Sequence, residues 1–209
     1  MSRRRWIGIG SLCLLFVLVA WASGTEAGRA LDLRVVTLLR DAEGLLRGPT
    51  WWREFVRDLT ALGGFGMVAA TALGVALWQL AAGRRRAAGR VVLLIGGTQL
   101  AVSLLKLAFA RPRPTGVEAG QVVHTFSFPS GHAALSAAAF GGLAWALARR
   151  QPPGAGGRRA LAIGFGVLVV LAVGFSRLGL GVHRPSEVLG GWCVAAAGLL
   201  LVVPGPRKR

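Results

Sequence analysis

Three short pieces of the chain hold side chains that its composition does not account for: Lys106 to Pro114 (KLAFARPRP), Pro129 to His132 (PSGH) and Ser176 to Glu187 (SRLGLGVHRPSE). Each borders a strongly apolar segment, where a charged group is costly and its presence points to function. A phosphate monoester presents charged oxygens that call for planar, multidentate donors, and arginine is the side chain best shaped for them. Lys106 and Arg113, seven residues apart, and Arg177 are therefore candidate phosphate ligands. Taken singly, each reads equally as a cation snorkelling to the membrane surface.

Pro129-Ser130-Gly131-His132 leads directly into an Ala-rich run of helical character. A helix N-terminus offers free N–H groups and a positive dipole end, a ready anion site. Ser130 adds a hydroxyl, Gly131 permits close approach, and His132 in the first turn is placed to protonate a leaving oxygen. The plain alternative is a Pro/Ser cap followed by a solvated histidine. Glu187 follows His183 by four residues, about one helical turn, and Pro185 fits the first helical position. The carboxylate can hold one ring nitrogen and leave the other basic. A histidine so held can attack phosphorus and carry it covalently. Glu187 as a helix-capping carboxylate is the competing reading.

The elements that must position these groups are membrane spans. The chain has 209 residues, is 54% hydrophobic with a mean hydropathy of +0.58, and is only 16% charged, where a soluble domain carries about a quarter. Apolar runs of roughly spanning length fall at 6–23, 62–82, 91–110, 131–148, 160–175 and 188–203. Period-2 alternation is absent, and an open sheet cannot exist in lipid, so the expectation is an all-α integral membrane bundle of six helices in one domain. The formal charge of +17 is not a nucleic-acid footprint. It sits in four clusters without acids: Arg3–Arg5; Arg84, Arg85, Arg86 and Arg90; Arg149, Arg150, Arg158 and Arg159; and Arg207, Lys208 and Arg209. Under the positive-inside rule these mark cytoplasmic loops and termini. Alternation then places all three motifs on the extracytoplasmic side, although they did not enter that argument. The 83–90 stretch reads as an inner loop.

Arg3–Arg5 followed by an apolar run ending in Ala20-Trp21-Ala22 is read as a retained anchor over a cleaved signal peptide, since Trp21 suits an interface. Residues 24–61, neutral in charge, carry Leu31, Val35, Leu38 and Leu39 at helical spacing, then Trp51, Phe55 and Leu59 after Pro49. Two short amphipathic helices at the membrane interface follow, as an anchoring belt or a wall beside the site. Cys13 and Cys193 both lie in apolar runs and form no metal or disulfide pattern. No acidic cluster suits Mg2+. His124 reads as a solvated loop residue.

K-x6-RP, PSGH and SR-x5-H, in that order and at these separations, resemble the type-2 phosphatidic acid phosphatase superfamily. The motifs cover Lys106 to Glu187. The resemblance implies a six-helix core and metal-independent hydrolysis of a lipid phosphate, with no cofactor. The substrate would be phosphatidic acid, phosphatidylglycerol phosphate, or a polyprenyl phosphate or diphosphate. By motif position, Lys106, Arg113 and Arg177 bind the phosphate with Ser130 and Gly131 assisting. His132 is the acid and His183 the nucleophile forming phosphohistidine. The family usually has Asp where this chain has Glu187, and often an aromatic in place of Arg184. Vanadate-dependent haloperoxidases share the motif set but are soluble, which the apolar spans oppose. A catalytically dead lipid-phosphate-binding or transport relative would lack His132, His183 or Arg177, and none is missing.

Overall fold

The computed structural model describes residues 1–113, 125–152 and 154–203. His124 and the Arg207–Arg209 cluster lie outside the described residues. Eight helices follow in order: α1 Arg3–Ala22, α2 Glu26–Leu39, α3 Thr50–Ala61, α4 Phe65–Ala81, α5 Arg85–Phe109, α6 Gly131–Arg150, α7 Gly156–Gly179 and α8 Pro185–Val202. Five are long and apolar enough to cross a membrane. The sixth candidate is α3 and α4 taken together, bent by 50° where they meet.

Several sequence-based boundaries change. Arg85, Arg86 and Arg90, expected in a loop, form the first turns of the 25-residue α5; arginine is a good helix former whose long stem lets the charge reach the membrane surface. Leu62, expected within the second span, lies in the turn between α3 and α4. The fifth span grows at both ends, so α7 carries Arg158 and Arg159 at its start and Ser176 and Arg177 in its last turn.

α6 is the hub, packed against α4, α5, α7 and α8. Its inward face is built from Ala133, Ala134, Ala137, Ala138 and Ala139, small side chains that let neighbouring backbones come close. At Gly191 of α8 the approach is tightest, since a Cβ there would lie 2.5 Å from the carbonyl oxygen of Ser130. Leucines such as Leu14, Leu73, Leu93, Leu104 and Leu168 face outward, the arrangement expected when lipid tails are the solvent.

The helices sort charge to one end. Arg5 of α1 donates to the carbonyls of Leu200 and Val203, capping orphan groups at the C-terminus of α8. Arg150, ending α6, stacks over Trp78 of α4 at 3.6 Å from the ring centroid. The starts of α5 and α7 carry their arginines at this same end. The motif residues gather at the other.

The 24–61 segment forms two helices, as its spacing predicts, and on α2 most of the leucines turn outward. Leu31, Leu33 and Leu38 are exposed while Asp32 between them is buried. On α3, Trp51 and Phe55 face out and Val56 and Thr60 face in. Toward the motif end of the bundle the helices thus turn Asp32 and Thr60 together with apolar Leu39, Trp52 and Val56, which pack near Leu180 and Val182.

Candidate active site

α5 ends at Ala110, whose N–H reaches the carbonyl of Lys106 at 2.9 Å and whose φ is 44°. A left-handed alanine is uncommon and strained. Here it turns the chain so that Arg111 and Arg113 run back over the helix ends. Arg113 is then fixed on several sides: Nε donates to the Thr125 carbonyl at 2.9 Å, Nη2 to Thr125 Oγ1 at 3.1 Å, and Nη1 to the Val182 carbonyl at 3.0 Å.

Arg113 Nη1 also lies 3.3 Å from His183 Nε2. A guanidinium can only donate, so Nε2 is an acceptor and the ring proton belongs on Nδ1. Nδ1 meets Glu187 Oε2 at 2.8 Å. That same oxygen accepts the backbone N–H of Arg184 at 3.2 Å, closing the first turn of α8. Both residues are buried, Glu187 completely. Burial pushes the His183 pKa down to about 4, against the opposing hydrogen bond and charge of Glu187, and nearby Arg177 and Arg113 lower it further. The imidazole is therefore neutral at ordinary pH, with its free electron pair on the side facing Arg113.

Around this ring the sequence-predicted groups converge. Arg177, 3% exposed, donates from Nη1 to Thr60 Oγ1 at 2.8 Å, while its Nε has no hydrogen-bond partner among the described residues. Lys106 donates to the Phe126 carbonyl and lies within electrostatic range of Arg113 and Arg177. His132 lies within the same range of Arg177, His183, Arg113 and Lys106. Ser130 is the N-cap of α6, its Oγ accepting from Ala133 N at 3.4 Å, and its own N–H bonds the Glu187 carbonyl at 2.8 Å. A Cβ on Gly131 would come within 4.0 Å of Lys106 Cε, so this helix end stays open beside the lysine.

Several contributors escape sequence reasoning. Phe128 is buried against Phe109 and Phe16, with ring centroids at 4.8 and 5.4 Å, and wedges the PSGH turn against α1 and α5. Thr60 orients Arg177 from a helix whose aromatic residues drew attention to its other face. Gly63 and Gly64, at the bend between α3 and α4, lie against His132; a Gly-Gly pair at the start of the 62–82 apolar run is the signal available in the sequence. Among the described residues no three His, Cys, Asp or Glu side chains group as a metal site.

The arrangement is that of a helical bundle with histidine, lysine and arginine side chains gathered around a buried His183–Glu187 pair at one end. A profile of the PAP2 superfamily matches residues 87–209. Phosphatidylglycerophosphatase B of Bacillus subtilis is 34% identical over 196 residues, covering 91% of this chain and 89% of the relative. The crystal structure of a transmembrane PAP2-type phosphatidylglycerolphosphate phosphatase from Bacillus subtilis superposes with a TM-score of 0.77, at 25% identity and 93% coverage of each chain. The chain belongs to the PAP2 superfamily, among its integral-membrane lipid phosphatases.

Proposed function

We propose that the protein removes the terminal phosphate of phosphatidylglycerol phosphate or a closely related lipid phosphate, without a metal ion and through a phosphohistidine at His183. The observation that carries this reading is the His183 ring, held at Nδ1 by Glu187 and with Nε2 beside Arg113. A phosphate gripped by Arg113, Arg177 and Lys106 would bring phosphorus in front of Nε2. As Nε2 bonds to phosphorus, the bond to the lipid oxygen breaks, and His132 gives that oxygen its proton. Glu187 stabilises the positive charge that develops on the imidazole. Water, deprotonated by His132, then attacks phosphorus, and cleavage of the P–N bond releases phosphate and restores His183. The relatives' names support the headgroup, and the motif geometry supports the mechanism.

The site faces the extracytoplasmic side, with the arginine-rich helix ends cytoplasmic and α2 and α3 at the outer interface. The chemistry is tested by phosphate release from phosphatidylglycerol phosphate, phosphatidic acid and a polyprenyl diphosphate in detergent with excess EDTA. Release from the first at the highest kcat/KM is expected, abolished by His183→Ala. Activity that disappears with chelator and returns with added metal would overturn the mechanism.

A further inference from the structure

Among the described residues Asp32 is the most deeply buried acid outside the motifs, 3% exposed in the middle of α2. A buried carboxylate is costly unless it is paired and hydrogen-bonded, and its hydrogen-bond partners belong to the opening of α8. Oδ1 accepts the backbone N–H of Ser186 at 3.0 Å and Oδ2 accepts the Ser186 hydroxyl at 2.5 Å. The first turn of α8 needs such an acceptor from outside. Its cap residue, Arg184, has no acceptor in its side chain, and Pro185 has no N–H to satisfy. Asp32 therefore does for α8, from another helix, what an N-cap side chain does within one.

The second partner is Arg111. Its Nη2 lies 3.6 Å from Asp32 Oδ2, and its Nε lies 3.6 Å from Glu187 Oε1. Nη1 reaches Ser186 Oγ and Nη2 reaches the Ser23 carbonyl, each at 3.4 Å. Glu187 spends Oε2 on His183 and on the Arg184 N–H, so Arg111 faces the oxygen that His183 does not use. The guanidinium stands between two carboxylates, one from α2 and one from the catalytic pair.

We propose that Asp32 is a positioning residue for the reaction: it fixes Arg111 and the first turn of α8, and through them the orientation of Glu187 against His183. The proposal rests on the reading of His183 as nucleophile. It gives α2 a role in the chemistry, although no residue of α2 belongs to the motifs. With the Asp32 charge removed, Arg111 keeps Glu187 as its ion-pair partner and is drawn toward it. Glu187 is then drawn away from the ring.

The test is a pair of backgrounds assayed on phosphatidylglycerol phosphate in detergent micelles. In the wild-type background Asp32→Asn should lower kcat by roughly 10- to 100-fold, the scale seen when a residue orienting a site ligand is lost, with KM little changed. In a Glu187→Gln background the same change should cost less than about twofold, because the carboxylate it orients is gone. Losses that multiply across the two backgrounds, as for general destabilisation, would overturn the proposal, as would full kcat for Asp32→Asn. If Asp32→Asn does not fold, Arg111→Gln cuts the same chain at its middle while leaving Asp32 on Ser186, and the same pair of outcomes decides. A wild-type protein without phosphatase activity overturns the nucleophile reading as well; an active wild type with a fully active Asp32→Asn overturns this proposal alone.

Discussion

Gly63 lies directly against His132: a Cβ there would fall 3.0 Å from the His132 carbonyl oxygen, 3.2 Å from its Cβ and 2.7 Å from Val173 Cγ1. Val173 is fully buried, so the strain of an added methyl cannot be relieved on that side. The side that gives is the first turn of α6. Gly63→Ala is expected to move His132 by a fraction of an ångström to an ångström and to lower kcat by up to about 10²-fold. The variant should still fold as a monodisperse particle in detergent. Near-normal turnover in folded Gly63→Ala would show that His132 does not need this wall.

The depressed pKa of His183 has a consequence for stability. The folded protein keeps the ring neutral down to about pH 4, whereas the unfolded chain binds a proton near 6.5. The unfolded state therefore holds more protons between these values, and stability falls as pH falls through that window. His183→Gln keeps a donor for Glu187 but does not titrate. Thermal unfolding in detergent from pH 7.5 to 4 should show a steeper acid loss for wild type than for His183→Gln. Parallel curves would mean that the burial of a neutral ring contributes nothing to the acid sensitivity.

The sorting of arginines to one end of the bundle and motif residues to the other makes sidedness measurable. Glu43 and Gly156 are exposed residues near opposite ends. Single cysteines at these positions, in a background without Cys13 and Cys193, are expected to differ toward an impermeant thiol reagent on intact cells. Position 43 should label and position 156 should label only after lysis. The reverse pattern would place the phosphate site on the cytoplasmic face.

The motif residues were legible in the sequence because their chemistry is expensive in an apolar setting and their spacing matches helix ends. His183 and Glu187 meet as a four-residue interval dictates. Asp32 was not legible. The spacing of its neighbouring leucines reads as an amphipathic helix at the membrane interface, which accounts for the exposed leucines but does not mark Asp32 as the residue that faces the protein. Thr60 was hidden likewise beside its aromatic neighbours. Arg85 and Arg90 show the converse error, since a run of charge reads as a loop while a long side chain can leave the helix intact and carry its charge away from it. The closeness of Gly63 to His132, far apart in the chain, depends on the 50° bend between α3 and α4, which no local pattern fixes.

Glu187 supplies the sharpest test of the catalytic pair, because its two competing readings from sequence are both realised by one oxygen. Oε2 accepts from His183 Nδ1 at 2.8 Å and from the Arg184 N–H at 3.2 Å, while Oε1 faces Arg111. Glu187→Gln keeps the size of the side chain but not its compatibility with these neighbours. If the amide oxygen serves His183 and Arg184, the NH2 group confronts the Arg111 guanidinium; if it turns round, the NH2 group confronts the ring N–H. A donor meets a donor either way. In a serine-protease triad the comparable loss of an orienting carboxylate cost about 10⁴ in kcat, and a loss approaching that size is expected here. Glu187→Asp, the residue usual in the family, keeps the charge with a shorter reach and should retain measurable turnover. The cap alone would stabilise the helix by only about 0.3–1 kcal/mol, so as a mere cap Glu187→Gln would shift the melting temperature slightly and leave kcat near normal. Turnover and thermal melting of both variants, measured on the same detergent preparations, separate the two roles. A Gln variant with wild-type kcat would assign the orientation of His183 to the backbone around it and to Arg113.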